Sequence, residues 1–110
     1  MEKRKFKRFQ TNLNGVIIIY GSSYVGYIKD ISTEGVGYLS LLHFYYYHKG
    51  ITHEKKVKLI IDKTFNSDVI NLDCEIRWTN SHLIDASQPF LGLKVSNPPN
   101  TYKYLVNTFE

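Results

Sequence analysis

The feature that most constrains the fold is an alternation of apolar and polar residues over positions 69–79. The apolar positions are Ile70, Leu72, Cys74, Ile76 and Trp78, and the polar positions between them are Asn71, Asp73, Glu75 and Arg77. Successive side chains of a β-strand point to opposite faces, so the pattern predicts an antiparallel strand that is buried on one face. The prediction places Trp78 on the apolar, buried face.

The rest of the chain contains further β-rich runs separated by short polar turns. They cover residues 14–20, 24–31, 35–42, 57–61 and 90–95. After Pro98-Pro99, the spacing of Tyr102, Leu105, Val106 and Phe109 predicts a short amphipathic helix. Antiparallel strands in this number commonly close into a barrel, because closure removes exposed edges. We therefore predict an all-β fold, a six-stranded antiparallel β-barrel with a short C-terminal α-helix.

The length of 110 residues suits a single compact domain with its own core. We expect a flexible basic arm over residues 1–12 and one barrel domain over residues 13–110. The apolar run at residues 16–20 is too short for a secretory signal or a membrane span. The lone Cys74 allows no intrachain disulfide and is expected to be a small buried hydrophobe. These features predict a cytoplasmic protein without membrane insertion.

The positive charge of the chain is concentrated at its start. Residues 1–8 carry five positive side chains and one negative one, a sum of +4 that equals the net charge of the whole protein. A basic arm of this kind can attract nucleic acid, anionic lipid or a phosphorylated small ligand. Charge alone does not choose among the three.

Two short motifs follow one another in the first third of the chain. Arg4 and Arg8 stand four residues apart, and Asp30-Ile31-Ser32-Thr33-Glu34-Gly35 lies between two β-rich runs. The second segment is typical of a tight turn, in which Asp and Ser bond nearby backbone and glycine tolerates unusual geometry. Arg-x-x-x-Arg followed by Asp-x-Ser-x-x-Gly resembles the signature of the PilZ domain, the bacterial receptor module for cyclic di-GMP. The resemblance extends over residues 3–105, including the tryptophan of Glu75-Ile76-Arg77-Trp78.

The resemblance implies a six-stranded barrel with a C-terminal helix and a site for cyclic di-GMP, with no other cofactor. In that site Arg4 and Arg8 would bind phosphate and stack on guanine, and Asp30 and Ser32 would accept from a guanine edge. Gly35 would shape the turn and let the ligand approach. Arginine suits such a ligand, because its fork pairs with phosphate and its plane lies on a base. Lys3, Lys5 and Lys7 would add long-range attraction.

Several alternatives stay open at this point. Asp30 and Ser32 can instead bond only their own turn, and the arginines can be a solvated basic face. The resemblance favours a stand-alone cyclic di-GMP receptor that signals to an unidentified protein effector through ordering of its N-terminal arm. The alternatives are a PilZ-like adapter that binds only protein, or a barrel that binds single-stranded nucleic acid through the arm and tyrosines. The aromatic run Phe44-Tyr45-Tyr46-Tyr47 either packs on the barrel or docks a partner.

An enzyme is not expected. The histidines at positions 43, 48, 53 and 82 lack the spacing of zinc ligands, so no metal site is predicted. Cys74 lies within an alternating strand, a poor position for a nucleophile. The sequence contains neither a phosphate-binding Gly-rich loop followed by Lys and Ser or Thr, nor a Gly-x-Ser-x-Gly elbow.

Overall fold

The computed structural model describes residues 7–19, 21–41, 55–62, 69–79 and 90–109. The strands are β1 (Phe9–Ile19), β2 (Ser22–Ile31), β3 (Gly35–Ser40), β4 (Lys55–Asp62), β5 (Ile70–Thr79) and β6 (Phe90–Ser96), followed by helix α1 (Asn100–Asn107). Neighbouring strands pair antiparallel and close into a barrel in the order β1-β2-β3-β6-β5-β4. This confirms the predicted fold class. In the described ranges, no helix is long and apolar enough to cross a membrane.

The first strand starts earlier than the sequence suggested. β1 begins at Phe9, which pairs with Ile31 at the end of β2. Residues 9–12, expected in the flexible arm, therefore belong to the barrel wall. Arg8 directly precedes this strand, so its backbone is held at the edge of the barrel wall. The aromatic run at residues 44–47 lies outside the described residues.

The core fills the barrel with side chains from every strand and from one face of the helix. Its largest fully buried members are Tyr38, Tyr102, Ile17, Ile19, Ile28, Ile31, Leu59, Ile61, Leu72, Ile76 and Leu91. The helix contributes Tyr102, Leu105 and Val106. Cys74 is buried as expected, and burial raises the pKa of its thiol to about 12. Ile70, Leu72, Cys74 and Ile76, on the apolar face predicted for residues 69–79, point inward, and the predicted face has one exception.

The exception is Trp78, whose side chain is 51% exposed. Ile76 pairs with Leu93 and Trp78 pairs with Gly92, so β5 carries one residue more than β6 at this point. Such a β-bulge re-aims the side chain that follows it. The expectation that Trp78 faces the core is therefore wrong, because the extra residue shifts the alternation by one position.

Candidate functional site

A second β-bulge turns Asp30 outward on the neighbouring part of the barrel wall. Ile28 pairs with Tyr38 and Asp30 pairs with Gly37, so β2 carries one residue more than β3. Ile28 and Ile31 are both fully buried, whereas the Asp30 side chain keeps 26% of its surface exposed. The bulge thus frees the carboxylate from the inward-outward alternation and places it on the outer surface.

The outward carboxylate meets the second arginine of the sequence motif. The Arg8 Nη1 atom donates to Asp30 Oδ1 at 2.5 Å, and both side chains are 26% exposed. The Nε of Arg8 is buried and has no hydrogen-bond partner among the described residues. An unmatched, charged donor in a partly desolvated position favours an anionic ligand. The two motifs, 22 residues apart in sequence, therefore form one local site.

The turn between β2 and β3 is held by its own polar atoms. The Ser32 N–H donates to Gly35 O at 2.9 Å, and the Gly35 N–H donates to Ser32 Oγ at 3.1 Å. Ser32 is only 4% exposed, so its hydroxyl faces the turn and not the solvent. In this structure Ser32 shapes the loop that carries the site, one of the alternatives left open by the sequence.

Gly35 is required for space. Its φ is not positive, but a Cβ at this position would lie 3.3 Å from Arg8 Nη2 and 3.2 Å from Leu93 O. Both distances are tighter than ordinary van der Waals contact, and the backbone oxygen cannot move away easily. The guanidinium of Arg8 therefore lies directly above Gly35.

Two more glycines continue this surface across the barrel wall. Gly37 of β3 and Gly92 of β6 are cross-strand partners. A Cβ on Gly37 would lie 2.5 Å from Asp30 Oδ2, and a Cβ on Gly92 would overlap the Trp78 indole. Gly35, Gly37 and Gly92 form a glycine platform, a stretch of bare backbone on which the side chains of Arg8, Asp30 and Trp78 lie flat.

An aromatic pair borders the platform on the side of β6. The rings of Trp78 and Phe90 are stacked, with centroids 5.4 Å apart and planes inclined by 4°. Phe90 also lines an open depression of about 560 Å³ with Asp30, Gln10, Thr11, Asn12 and Lys29. This volume falls within the range of small-molecule sites. Lys29 Nζ donates to Asn12 Oδ1 at 3.0 Å, which holds a second cation at the rim.

The predicted site residues fall into three groups. Arg8, Asp30 and Gly35 come together on one surface, and Ser32 lies beneath them in the turn. Lys7 is exposed, and its ammonium stands 5.5 Å from the centroid of the Phe9 ring, within cation–π range. Lys3, Arg4 and Lys5 lie outside the described residues.

Sequence reasoning missed several residues of this surface, namely Gly37, Gly92, Trp78, Phe90 and Lys29. A signal for Gly37 was present in Gly35-Val36-Gly37, because two glycines on one face of a strand indicate close approach of another group. A glycine inside a strand, such as Gly92, indicates a bulge or a close approach, but which strand carries the extra residue depends on pairing between strands. Lys29 is the extra residue of the bulge in β2.

The arrangement combines three kinds of chemistry on one face. The Arg8 guanidinium offers charged donors, and the Asp30 carboxylate offers acceptors for N–H groups. The exposed indole of Trp78 offers a flat surface. The charged donors can bind phosphate, the carboxylate can accept from the N–H groups of a purine edge, and the indole can stack on a purine plane. The site therefore suits a ligand that carries both phosphate and purine.

Comparison with known proteins agrees with the fold described above. The model of the PilZ domain family matches residues 2–107. A search of curated protein sequences finds no match. Solved structures with the same fold include the PilZ domain with c-di-GMP of YcgR from Escherichia coli, at a TM-score of 0.75 and 12% identity, covering 98% of this chain and 92% of that one.

Two longer structures also share the fold. One is the inhibitor of motility MotI/DgrA of Bacillus subtilis, with a TM-score of 0.74 and 14% identity. The other is the MrkH–c-di-GMP complex of K. pneumonia, with a TM-score of 0.70 and 14% identity. In both cases 98% of this chain is covered, but the chain spans only 50% of the other protein. Because the family model matches nearly the whole sequence, the chain belongs to the PilZ domain family.

Proposed function

We propose that this protein is a cyclic di-GMP receptor that acts as an adapter and has no catalytic role. The observation that carries the proposal is the Arg8–Asp30 pair above the glycine platform, which joins the two motifs of the sequence in one site. Two of the similar structures, those of YcgR and MrkH, are described as containing c-di-GMP, which supports the choice of ligand.

The proposed roles follow from the chemistry of the surface. Arg8 binds a phosphate through Nη2, a guanidinium nitrogen that its hydrogen bond with Asp30 does not use. Asp30 accepts from the N–H groups of a guanine edge, and Trp78 provides a plane for a base. Ser32 and Gly35 keep the turn in shape beneath Arg8. From the sequence, Arg4 supplies a second guanidinium and Lys3, Lys5 and Lys7 supply long-range attraction.

Signal transmission in this proposal passes through the N-terminal arm. In this hypothesis the ligand orders the N-terminal arm over residues 1–9, and an unidentified protein partner recognises the ordered form. The single buried cysteine fits a reducing compartment, so we place the receptor in the cytoplasm. If backbone relaxation of residues 1–9 is the same with and without ligand, this mode of transmission is wrong.

Isothermal titration calorimetry with three ligands tests the proposal. The ligands are cyclic di-GMP, the linear GMP dinucleotide and a short single-stranded RNA. The proteins are wild type, Arg8→Ala and the control Lys58→Ala. The control removes an exposed cation of β4 that forms an ion pair with Asp73 of β5. We expect binding of the cyclic ligand alone, its loss in Arg8→Ala, and no change in the control.

The other outcomes identify the alternatives. Equal affinity for the RNA, with similar losses in Arg8→Ala and Lys58→Ala, would indicate a nucleic-acid-binding barrel that reads only charge. Absence of binding to all three ligands would favour an adapter that binds only protein. The single tryptophan gives an independent readout, because Trp78 lies on the proposed binding surface and its fluorescence should change with the cyclic ligand.

A further inference from the structure

The C-terminal helix reaches the turn of the candidate site through one buried hydroxyl. Tyr102 of α1 is fully buried, and its hydroxyl lies 2.6 Å from Ser32 O and 3.2 Å from Gly35 O. Ser32 and Gly35 are the two motif residues of the β2–β3 turn. Tyr102 is therefore hydrogen-bonded to the site from inside the barrel, about 70 residues away in sequence.

We propose that Tyr102 is a positioning residue for the cyclic dinucleotide site and that it couples the occupied site to helix α1. This inference rests on the proposed function. It assigns to the helix a role that neither sequence motif contains. Tyr102 does not touch the outer surface, so its effect on the ligand passes through the turn and through Arg8.

Hydrogen bonds from several parts of the described structure hold the turn, and the one from the Tyr102 hydroxyl comes from the helix. The internal ones join Ser32 and Gly35. Another joins the turn to β6, where the Val95 N–H donates to Glu34 O at 2.8 Å. Arg8 Nη2 lies 3.3 Å from the position that a Cβ on Gly35 would occupy, so the guanidinium lies over the backbone of Gly35 and a shift of this backbone changes the space beneath Arg8.

The Tyr102 hydroxyl is protonated at physiological pH and therefore donates a hydrogen bond. Burial raises the pKa of the Tyr102 phenol above its ordinary range, so the proton stays on the oxygen. Without that donor, Ser32 O would lose a 2.6 Å hydrogen bond in a buried position. A buried carbonyl that loses its partner is costly, and the turn would relax to satisfy it.

The Tyr102 hydrogen bond also lets a ligand bound at the turn stabilise helix α1. The helix has eight residues and no side-chain cap, so it depends on tertiary contacts for its stability. Any coupling between ligand and helix must be reciprocal. A ligand that fixes the turn therefore also protects the helix, which gives the receptor a second surface that responds to occupancy.

The test compares Tyr102→Phe with Tyr104→Phe. The two changes remove the same atom from the same helix, but Tyr104 is 62% exposed and Tyr102 is buried. Affinity for cyclic di-GMP is measured by calorimetry well below the unfolding temperature of each variant. Loss of one buried hydrogen bond predicts about tenfold weaker binding for Tyr102→Phe. Tyr104→Phe should bind like wild type.

Leu105→Ala separates positioning from general destabilisation. Leu105 is buried in the same helix, so this variant loosens the helix while the Tyr102 hydroxyl stays in place. We expect a lower unfolding temperature and, because ligand and helix are coupled, a loss of affinity that is clearly smaller than in Tyr102→Phe. If Leu105→Ala weakens binding as much as Tyr102→Phe does, helix packing in general sets the affinity, and the proposal is overturned.

Hydrogen exchange of the α1 amides provides the second readout. Cyclic di-GMP should slow exchange in wild type and Tyr104→Phe, with little effect in Tyr102→Phe at saturating ligand. Equal affinity and equal protection in the two Phe variants would overturn the proposal while leaving the proposed function intact. Absence of binding in wild type and every variant would instead overturn the proposed function, and this inference with it.

Discussion

Gly37 and Gly92 are cross-strand partners, and each lies beneath a side chain that a β-bulge turns outward from the next strand. Asp30 from β2 covers Gly37, and Trp78 from β5 covers Gly92. Neighbouring strands are about 5 Å apart, so the carboxylate and the indole occupy adjacent places on one surface. Two independent bulges thus serve one arrangement, which supports a binding role for this face.

Gly37→Ala should disrupt the site without disrupting the barrel. The new Cβ would lie 2.5 Å from Asp30 Oδ2, so the carboxylate must leave its place and release Arg8. We expect affinity for cyclic di-GMP to fall by about tenfold to a hundredfold, as for loss of a charged hydrogen bond. Calorimetry and far-ultraviolet circular dichroism measure binding and fold.

Gly21→Asn is a suitable control for that substitution. Gly21 has a φ of +82° and open space around its Cβ position, and asparagine tolerates this backbone region better than most residues. The variant should bind normally. A Gly37→Ala protein with wild-type affinity would show that the carboxylate above Gly37 is not part of the ligand site.

Trp78→Ala should affect binding more than stability. The indole is half exposed, and its main described ring partner is Phe90, so the unfolding free energy should fall by only about 1 kcal/mol. Loss of a stacking surface should weaken binding by about fivefold to a hundredfold. Calorimetry measures the ligand affinity, and urea unfolding measures the unfolding free energy. Tyr104→Ala, which removes an exposed aromatic ring from the helix, should leave the affinity unchanged.

The sequence was sufficient to predict the fold because its periodicity is local information. Alternation in residues 69–79 reports the buried face of one strand and agrees with the structure up to Ile76. The β-branched run at residues 16–19 indicates a strand, and these residues lie in β1. The position of Trp78 was missed because a bulge is a property of two paired strands. Apolar character at position 78 is equally compatible with core burial and with an exposed stacking surface.

The site was predicted in part for a similar reason. The motif named Arg8, Asp30, Ser32 and Gly35, and the structure brings all four within one turn and its flank. Gly92 and Tyr102 are distant in sequence from the two motifs and belong to neither of them. Their relation to the site arises from strand order, which puts β6 beside β3, and from the hydrogen bond of the Tyr102 hydroxyl to the β2–β3 turn.

Arg8→Lys tests whether shape or charge determines binding. Lysine keeps the positive charge but lacks the planar fork that reaches Asp30 and a phosphate together. We expect at least about tenfold weaker binding, as for loss of a charged hydrogen bond. The slope of affinity against salt should remain close to that of wild type, since the number of charges is unchanged. Titrations at several salt concentrations give both quantities. An Arg8→Lys protein that binds like wild type would show that charge alone is sufficient.

Alkaline pH should destabilise the barrel through its buried acids. Burial raises the pKa of Cys74 to about 12 from an ordinary value of 9.0, and it raises the pKa of Tyr38 and Tyr102 above their ordinary 10.0. The folded protein holds these protons, whereas the unfolded chain releases them as the pH rises. Stability is therefore complete below about pH 9 and falls above it, by up to about 1.4 kcal/mol per pH unit for each group.

Urea unfolding at pH 8, 9.5, 10.5 and 11 measures this loss of stability. Cys74→Ala removes one of the titrating groups, so its stability should fall less steeply than that of wild type between pH 9 and pH 11. The difference at pH 11 should be on the order of 2 kcal/mol after correction for the change at pH 8. Parallel pH profiles for Cys74→Ala and wild type would mean that the thiol ionises as readily in the folded barrel as in the unfolded chain.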